Sequence, residues 1–286
     1  MSPARCSHFA LLLGLASLVL GCQKTEEHPP YEAACVKNCA VLPGISLSPG
    51  TGNAAGGGGG TPDSDAGTGS LQGHVLLLTD DSFVRAMPYT GEATVTADGA
   101  TGTPVSGTWN GSDPTALFSL EGIATLATSW VSIKPTLVGG DALPTYEAVQ
   151  TNRVSNVDLK LVAASTLDGI FSSVSTLRSP DSGQVVLFFQ SAGTGAALSG
   201  LHVTMPTSQA GIYAVDRGWV LDDGTALTNQ SGLVVFGNVE PANSNGTQTV
   251  SVARAATATT PATPAGQFTV KVVQGAVTIA TVNVQL

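Results

Sequence analysis

From Leu71 onward the chain is a succession of short apolar or alternating runs, broken by turn residues at a spacing of roughly 8–12 residues. In G-E-A-T-V-T-A-D, Ala93, Val95 and Ala97 alternate with Glu92, Thr94 and Thr96, the period-two pattern of a half-buried strand. L-Q-G-H-V-L-L-L-T, P-V-S-G-T-W-N-G, A-L-F-S-L-E-G-I, S-W-V-S-I-K-P and V-D-L-K-L-V read as further strands of one block. A second block runs from G-Q-V-V-L-F-F-Q, whose continuous apolar run fits a central strand, to V-T-I-A-T-V-N-V at the end of the chain. The V-Q-G-A-V join before that last strand reads as a hairpin turn. Charged residues make up only 11% and Gly numbers 34, so strands and turns are favoured over helices. One helix is expected between the blocks, where Leu167, Ile170, Phe171 and Val174 recur at helical spacing. Ser165 or Thr166 would cap it, and Pro180 forbids its continuation.

The amino-terminal end has a different logic. An apolar run, Phe9 to Leu20, follows Arg5 and is closed by Gly21 and Cys22, which is the pattern of a secretory signal. The run is shorter than the roughly 20 apolar residues that span a bilayer, and Lys24, Glu26 and Glu27 stop its extension. From residue 22 to 70 the chain contains Pro29-Pro30, five glycines from Gly56 to Gly60 and T-P-D-S-D-A-G-T-G, too little apolar surface to offset chain entropy. Such a tether has a root-mean-square reach of about 40 Å. Cys35 and Cys39 lie within it and are expected to close a small disulfide loop in an oxidising compartment.

The stretch L-V-L-G-C resembles the lipobox of bacterial lipoproteins, over Val19 to Cys22, with Val19 where that family usually has Leu and Leu20 where it usually has a small residue. The resemblance implies cleavage before Cys22 and acylation of its thiol, palmitate included, and of the new amino terminus. Several acyl chains together anchor stably. Gln23 in place of an Asp after the cysteine favours the outer membrane under the family's sorting rule. In texture the whole chain resembles envelope lipoproteins of myxobacteria.

In the second block, Leu198 to Val203 fits a small-Gly-apolar-x-Val strand, Thr228 to Gly232 a Thr-x-x-x-Gly turn, and Leu233 to Pro241 an apolar-x-Phe-x-Asn-Val-x-Pro strand and loop. These pieces are similar to carboxypeptidase regulatory-like domains, the transthyretin-like sandwich also found in collagen-adhesin repeats. The likeness covers 184–286 well and 71–163 loosely. It departs at Ala242, where the family has Gly, and in the insertion from Asn243 to Gln248. It implies folding supports, spacers or binding surfaces without a catalytic site. Some collagen-adhesin repeats carry a Lys–Asn isopeptide bond, but the first strands here hold no Lys, and Lys134, Lys160 and Lys271 lack an evident triad, so none is expected.

No G-x-S-x-G elbow and no H-E-x-x-H helix occurs, and no nucleophile–base pair can be read from the spacing. His28, His74 and His202 lie far apart without carboxylates at ligand spacing, so no metal is expected. The net charge is −9, and losing Arg5 with the leader makes the mature part more acidic still. That balance argues against nucleic acid, which needs basic patches. Two features remain as candidate ligand contacts. Asp80-Asp81 and Asp222-Asp223 sit where turns are expected and could offer carboxylates to calcium. Trp109, in a T-W-N-G stretch read as a turn, is the best exposed candidate for a flat sugar face, whereas Trp130 reads as core.

The sequence therefore predicts a mainly all-β protein: a signal peptide at 1–21, a lipid-anchored disordered tether at 22–70 and a β-sandwich module at 71–163. A short helix and connector at 164–182 and a second, carboxypeptidase regulatory-like sandwich at 183–286 follow. The expected role is non-enzymatic, in the cell envelope and without a cofactor, with the membrane and an envelope protein or glycan as partners. The alternatives are a calcium- or carbohydrate-dependent adhesin and an unrecognised hydrolase.

Overall fold

The computed structural model describes residues 67–113, 115–124, 128–137, 140–150, 154–241, 246–256 and 263–285. The leader, Cys22, Cys35, Cys39, the tether up to residue 66 and part of the insertion after Pro241 lie outside them.

The protein is mainly β, with a single helix among the described residues. The first half supplies β1 (Thr68–Gly73), β2 (Val75–Leu78), β3 (Ala86–Pro88), β4 (Glu92–Asp98), β5 (Pro104–Asn110), β6 (Phe118–Ala124), β7 (Thr128–Pro135), β8 (Ala142–Leu143), β9 (Thr145–Gln150), β10 (Val154–Asn156) and β11 (Leu159–Ala163). After α1 (Ala164–Ser173) come β12 (Gly183–Ser191), β13 (Leu201–Thr204), β14 (Ala210–Val215), β15 (Gly218–Leu221), β16 (Leu233–Val239), β17 (Thr247–Arg254), β18 (Thr263–Lys271) and β19 (Val277–Val284). Among the described residues the first strand starts at Thr68, slightly before the expected Leu71.

A nine-stranded sheet, in the order β15-β14-β16-β12-β19-β9-β7-β4-β5, runs through both halves. The crossing point is β19, parallel to β12 on one side (Gln184 beside Val277) and to β9 on the other (Val277 beside Thr145). Smaller sheets cover it: β10-β1-β6, β3-β2-β11-β8 and β13-β17-β18.

Each face has its own apolar cluster. In the first half Val95, Ile133, Leu71, Phe118 and Leu161 meet in one core. In the second, Val185, Leu187 and Phe189 of β12 meet Val203, Val250 and Val270 of the β13-β17-β18 sheet. The opposite face of β12, with Val186 and the half-buried Phe188, packs under α1 with Val162, Ile170 and Phe171. Burial on both faces is why G-Q-V-V-L-F-F-Q reads as a continuous apolar run. β4 has one dry face, so it alternates: Ala93, Val95 and Ala97 are buried, and Glu92 and Thr94 are exposed.

The join before β19 is not a hairpin. β18 pairs with β17, and β19 pairs with β12 and β9, so the 272–276 turn carries the chain from one sheet to the other. The stretch had the composition of a tight turn, but turn chemistry does not say which sheet the next strand joins.

The helix forms where expected, but neither Ser165 nor Thr166 caps it. The N-cap position is Ala163, with no side-chain bond of its own. Asp141 does the work from a distant loop: its Oδ1 accepts from the Ser165 N–H at 2.9 Å and its Oδ2 from the Ser165 hydroxyl at 2.7 Å. The helix ends well before Pro180. Ser175 takes a left-handed φ of 58°, and the Thr176 N–H donates to the Phe171 carbonyl at 2.9 Å. This is a Schellman end with Ser in the place that Gly usually fills. Phe171 then lies directly over Gly237 of β16, where an added Cβ would come within 2.4 Å of its ring.

Tyr213 joins two sheets. It stands on β14, is fully buried, and crosses the second core to β13. Its hydroxyl donates to the Val203 carbonyl at 2.6 Å and accepts from the Val203 N–H at 2.8 Å. β13 is a sheet edge, so one side chain satisfies both outward backbone groups of Val203. Burial pushes the Tyr213 hydroxyl far above the ordinary tyrosine range, which keeps it a donor. Tyr213→Phe keeps the ring and orphans a buried N–H and C=O. It is expected to cost about 2 kcal/mol or more in denaturant unfolding, with the slope of unfolding free energy against denaturant unchanged.

Candidate functional site

Asp80-Asp81 and Asp222-Asp223 both lie at turns, as expected. Asp80 opens the turn between β2 and β3. Its Oδ1 accepts from the N–H groups of Val84 at 3.0 Å and Arg85 at 2.9 Å, and its Oδ2 from the Ser82 hydroxyl at 2.5 Å. Those bonds hold Phe83 at a φ of 55°, unusual for a bulky residue. Phe83 is buried, edge-on to Phe188 and to Trp219 at centroid distances of 6.3 and 6.5 Å. The Asp80 carboxylate thus drives an aromatic plug from the first half into the second. Asp81 is exposed beside it.

Asp222 ends β15 in the same manner. Its Oδ1 accepts from the N–H groups of Gly224 at 2.9 Å and Ala226 at 3.3 Å. Its Oδ2 faces His202 Nε2 of β13 at 3.5 Å. Asp223 accepts from the Thr225 N–H at 3.0 Å and hydroxyl at 2.5 Å, and these bonds hold its carboxyl below the usual range. Asp80, Asp81, Asp222 and Asp223 do not converge: among the described residues no three His, Cys, Asp or Glu side chains gather into a metal-sized group. A shallow depression of about 480 Å³ lies at the β14–β15 turn and is lined by Val215, Asp216, Arg217 and Asn229.

Trp109 is not exposed, and T-W-N-G is not a turn. The residue sits on β5 with only 4% of its surface exposed, pointing into the first core. Its Nε1 donates to the Tyr89 carbonyl at 2.9 Å, and its ring meets His74 edge-on at 6.1 Å. The strand runs on through Asn110 and the turn starts only at Gly111, so strand alternation sends Trp109 inward. A ring held this way offers no face to a sugar. Trp130 is half-buried against the second core, although it comes from β7 of the first half.

Two polar fasteners escaped the sequence reading. Glu147, in the nine-stranded sheet, accepts from Lys160 Nζ at 2.8 Å and from the Lys160 backbone N–H at 2.9 Å. This pair links β9 to β11, and the Glu147 charge raises the Lys160 pKa above its ordinary 10.5. Lys160 is therefore held by an ion pair with a glutamate. The second fastener surrounds Asn238, buried at a left-handed φ of 53° where β16 slips register against β12. Its side chain accepts from the Ser179 N–H at 2.7 Å and donates to the Leu177 carbonyl at 2.9 Å, and its own N–H donates to Gln184 Oε1 at 3.0 Å. Asn238 thereby ties the 177–179 connector to the sheet. Thr228, the first residue of the Thr-x-x-x-Gly turn, is likewise spent on the backbone: it accepts from the Leu201 N–H at 3.0 Å and donates to the Leu198 carbonyl at 2.8 Å. Side chains that looked like motif residues are holding loops in place.

No protein-family model and no curated protein sequence matches the chain. Solved structures with some similarity include the shaft pilin SpaA of Lactobacillus rhamnosus GG, at 12% identity, covering 75% of this chain and 97% of that one, with a TM-score of 0.22. Others are a group B streptococcus pilus 2b backbone protein (10% identity, 69% and 79% covered, TM-score 0.22) and a streptococcal ancillary pilin (12% identity, 78% and 63% covered, TM-score 0.20). Scores this low carry no inference about fold or function.

Two outcomes follow from the side-chain chemistry. Asp80→Ala is expected to lower stability by about 1–2 kcal/mol in chelator, since the carboxylate serves backbone N–H groups without any metal. A loss that appears only when calcium is present would instead mark Asp80 as a ligand. For Lys160, the folded pKa lies above the unfolded one, so the ion pair contributes fully below about pH 10 and is lost as pH rises through the raised value. Glu147→Gln keeps an acceptor for the backbone N–H but removes the charge. It is expected to cost about 1–2 kcal/mol at pH 7, discounted because the Lys160 side chain is 37% exposed, and the gap to wild type should narrow above about pH 10.5.

Proposed function

We propose that this chain is a lipid-anchored, non-enzymatic protein of the bacterial cell envelope, held at the outer membrane and presenting its β modules for structural or binding roles. The observation that carries the reading is the apolar run closed by Gly21-Cys22 ahead of a Gly- and Pro-rich tether. The structure adds support of a different kind. Three side chains that stood out as candidate ligand contacts, Asp80, Asp222 and Trp109, are engaged in turn and core contacts. Acyl chains would set location, the tether would set reach, and the modules at 71–163 and 183–286 would supply contact surface to an envelope protein or glycan.

The test is the chemistry of the amino terminus. The mature protein is expected to begin at Cys22 carrying acyl groups by intact mass, and to partition into detergent. Cys22→Ser is expected to move it to the aqueous phase. An unmodified Cys22, or a Cys22→Ser protein that still partitions with membrane, overturns the anchor; turnover of a substrate overturns the non-enzymatic role.

A further inference from the structure

β5 is the outermost strand of the nine-stranded sheet, and its last residue, Asn110, is followed by Gly111. The fold demands a glycine there. A Cβ on residue 111 would come within 2.0 Å of the Tyr89 carbonyl oxygen, which the Trp109 ring N–H holds in place at 2.9 Å. Asn110 is set by the turn. Its Oδ1 accepts from the Ser112 N–H at 3.1 Å and from the Ser112 hydroxyl at 2.7 Å. Close packing and turn chemistry thus put Asn before Gly at an exposed strand end. That order is reactive. The backbone nitrogen after an asparagine closes a five-membered ring on the carboxamide carbon, and attack within one chain has a large proximity advantage. A side chain on the second residue hinders the approach, and glycine has none. The other asparagines among the described residues precede larger ones: Asn156 precedes Val157, Asn229 precedes Gln230, Asn238 precedes Val239 and Asn283 precedes Val284. Asn245 also precedes a glycine but lies outside the described residues. At Asn110 both Ser112 donors sit on the oxygen that gathers negative charge during attack. The Gly111 N–H donates to the Gly91 carbonyl at 3.0 Å, so the reaction waits on the opening of that rung. The rung closes the end of an edge pair, where local opening is easiest.

We infer that Asn110 is a site of spontaneous deamidation, and that the carboxylate it leaves opposes Glu92 and loosens the β4–β5 edge. This goes beyond the proposed envelope role and does not depend on the lipid anchor. The Gly111 nitrogen gives its proton to solvent and bonds to Asn110 Cγ. The Cγ–Nδ2 bond breaks, and the amide nitrogen leaves as ammonia. Water then opens the succinimide: at the side-chain carbonyl it gives aspartate, at the backbone carbonyl isoaspartate. Glu92 stands directly opposite Asn110 in the β4–β5 ladder, and both are exposed. The Glu92 carbonyl is turned the other way, accepting from the Thr136 N–H at 2.9 Å. Glu92 and Asn110 therefore form the non-hydrogen-bonded kind of pair, in which side chains lie closest. An amide opposite Glu92 is neutral, whereas a carboxylate there repels it. Asp113, held below the usual carboxylate range by its bonds from Thr115, adds another negative charge at the same turn. The aspartate product keeps the turn, because Asp113 and Asp223 accept the same pair of bonds from Thr115 and Thr225. The isoaspartate product adds a methylene to the backbone at the strand end.

The experiment is peptide mapping by mass spectrometry of the full-length protein, kept folded in mildly alkaline buffer made with heavy-oxygen water. Residue 110 is expected to take up the label as aspartate and isoaspartate, ahead of Asn156, Asn229, Asn238 and Asn283. A second measurement reads the consequence. Asn110→Asp, at an exposed position, is expected to lower the melting temperature by about 1–3 °C in low salt. The difference should shrink in high salt, and most of it should vanish when Asn110→Asp is compared with its parent in a Glu92→Gln background. An Asn110 that remains an amide in the folded protein after the denatured chain has converted overturns the site. An Asn110→Asp protein that melts with wild type, or a shift that Glu92→Gln leaves intact, overturns the loosening.

Discussion

The two backbone ladders on either side of β19 are what the rest of the structure depends on. β19 bonds to β12 along its whole length and to β9 over Val277 to Ile279, so one strand belongs to both halves of the chain. Parallel pairing needs long crossover connections and burial on both faces, and both are found here. The Glu147–Lys160 pair, the Phe83 plug and the half-buried Trp130 are secondary to this join. Phe83 and Trp130 carry side chains from the first half into the second, while Glu147 and Lys160 fasten β9 to β11 within the first.

The contrast between well-read and misread regions follows from range. Alternation in β4 and the continuous apolar run of β12 depend on which faces are dry, and that pattern is written locally. The helix was legible for the same reason, through Leu167, Ile170 and Phe171. Its cap was not, because Asp141 lies on another loop and nothing near Ser165 announces it. The join to β19 had the composition of a hairpin, and only the sheet order reveals a crossing. Trp109 was misplaced because the strand runs on through Asn110, and that boundary exchanges solvent for core.

The candidate site was legible in residue type and not in use. Asp at a turn can bind a cation or bond its own backbone, and the sequence is the same in either case. At Asp80 and Asp222 the backbone takes the oxygens. Lys160 could be seen as a lysine without a triad, but its glutamate partner is brought in by sheet packing from β9.

The position of β19 in the sheet also bears on how the fold forms. The sheet's middle is filled by β19, and its ladders join residues as far apart as Thr145 and Val277. Folds dominated by such distant pairings form slowly, because the loop must close before any contact rewards it. The two halves of the sheet therefore cannot lock together until β19 has found both of its neighbours.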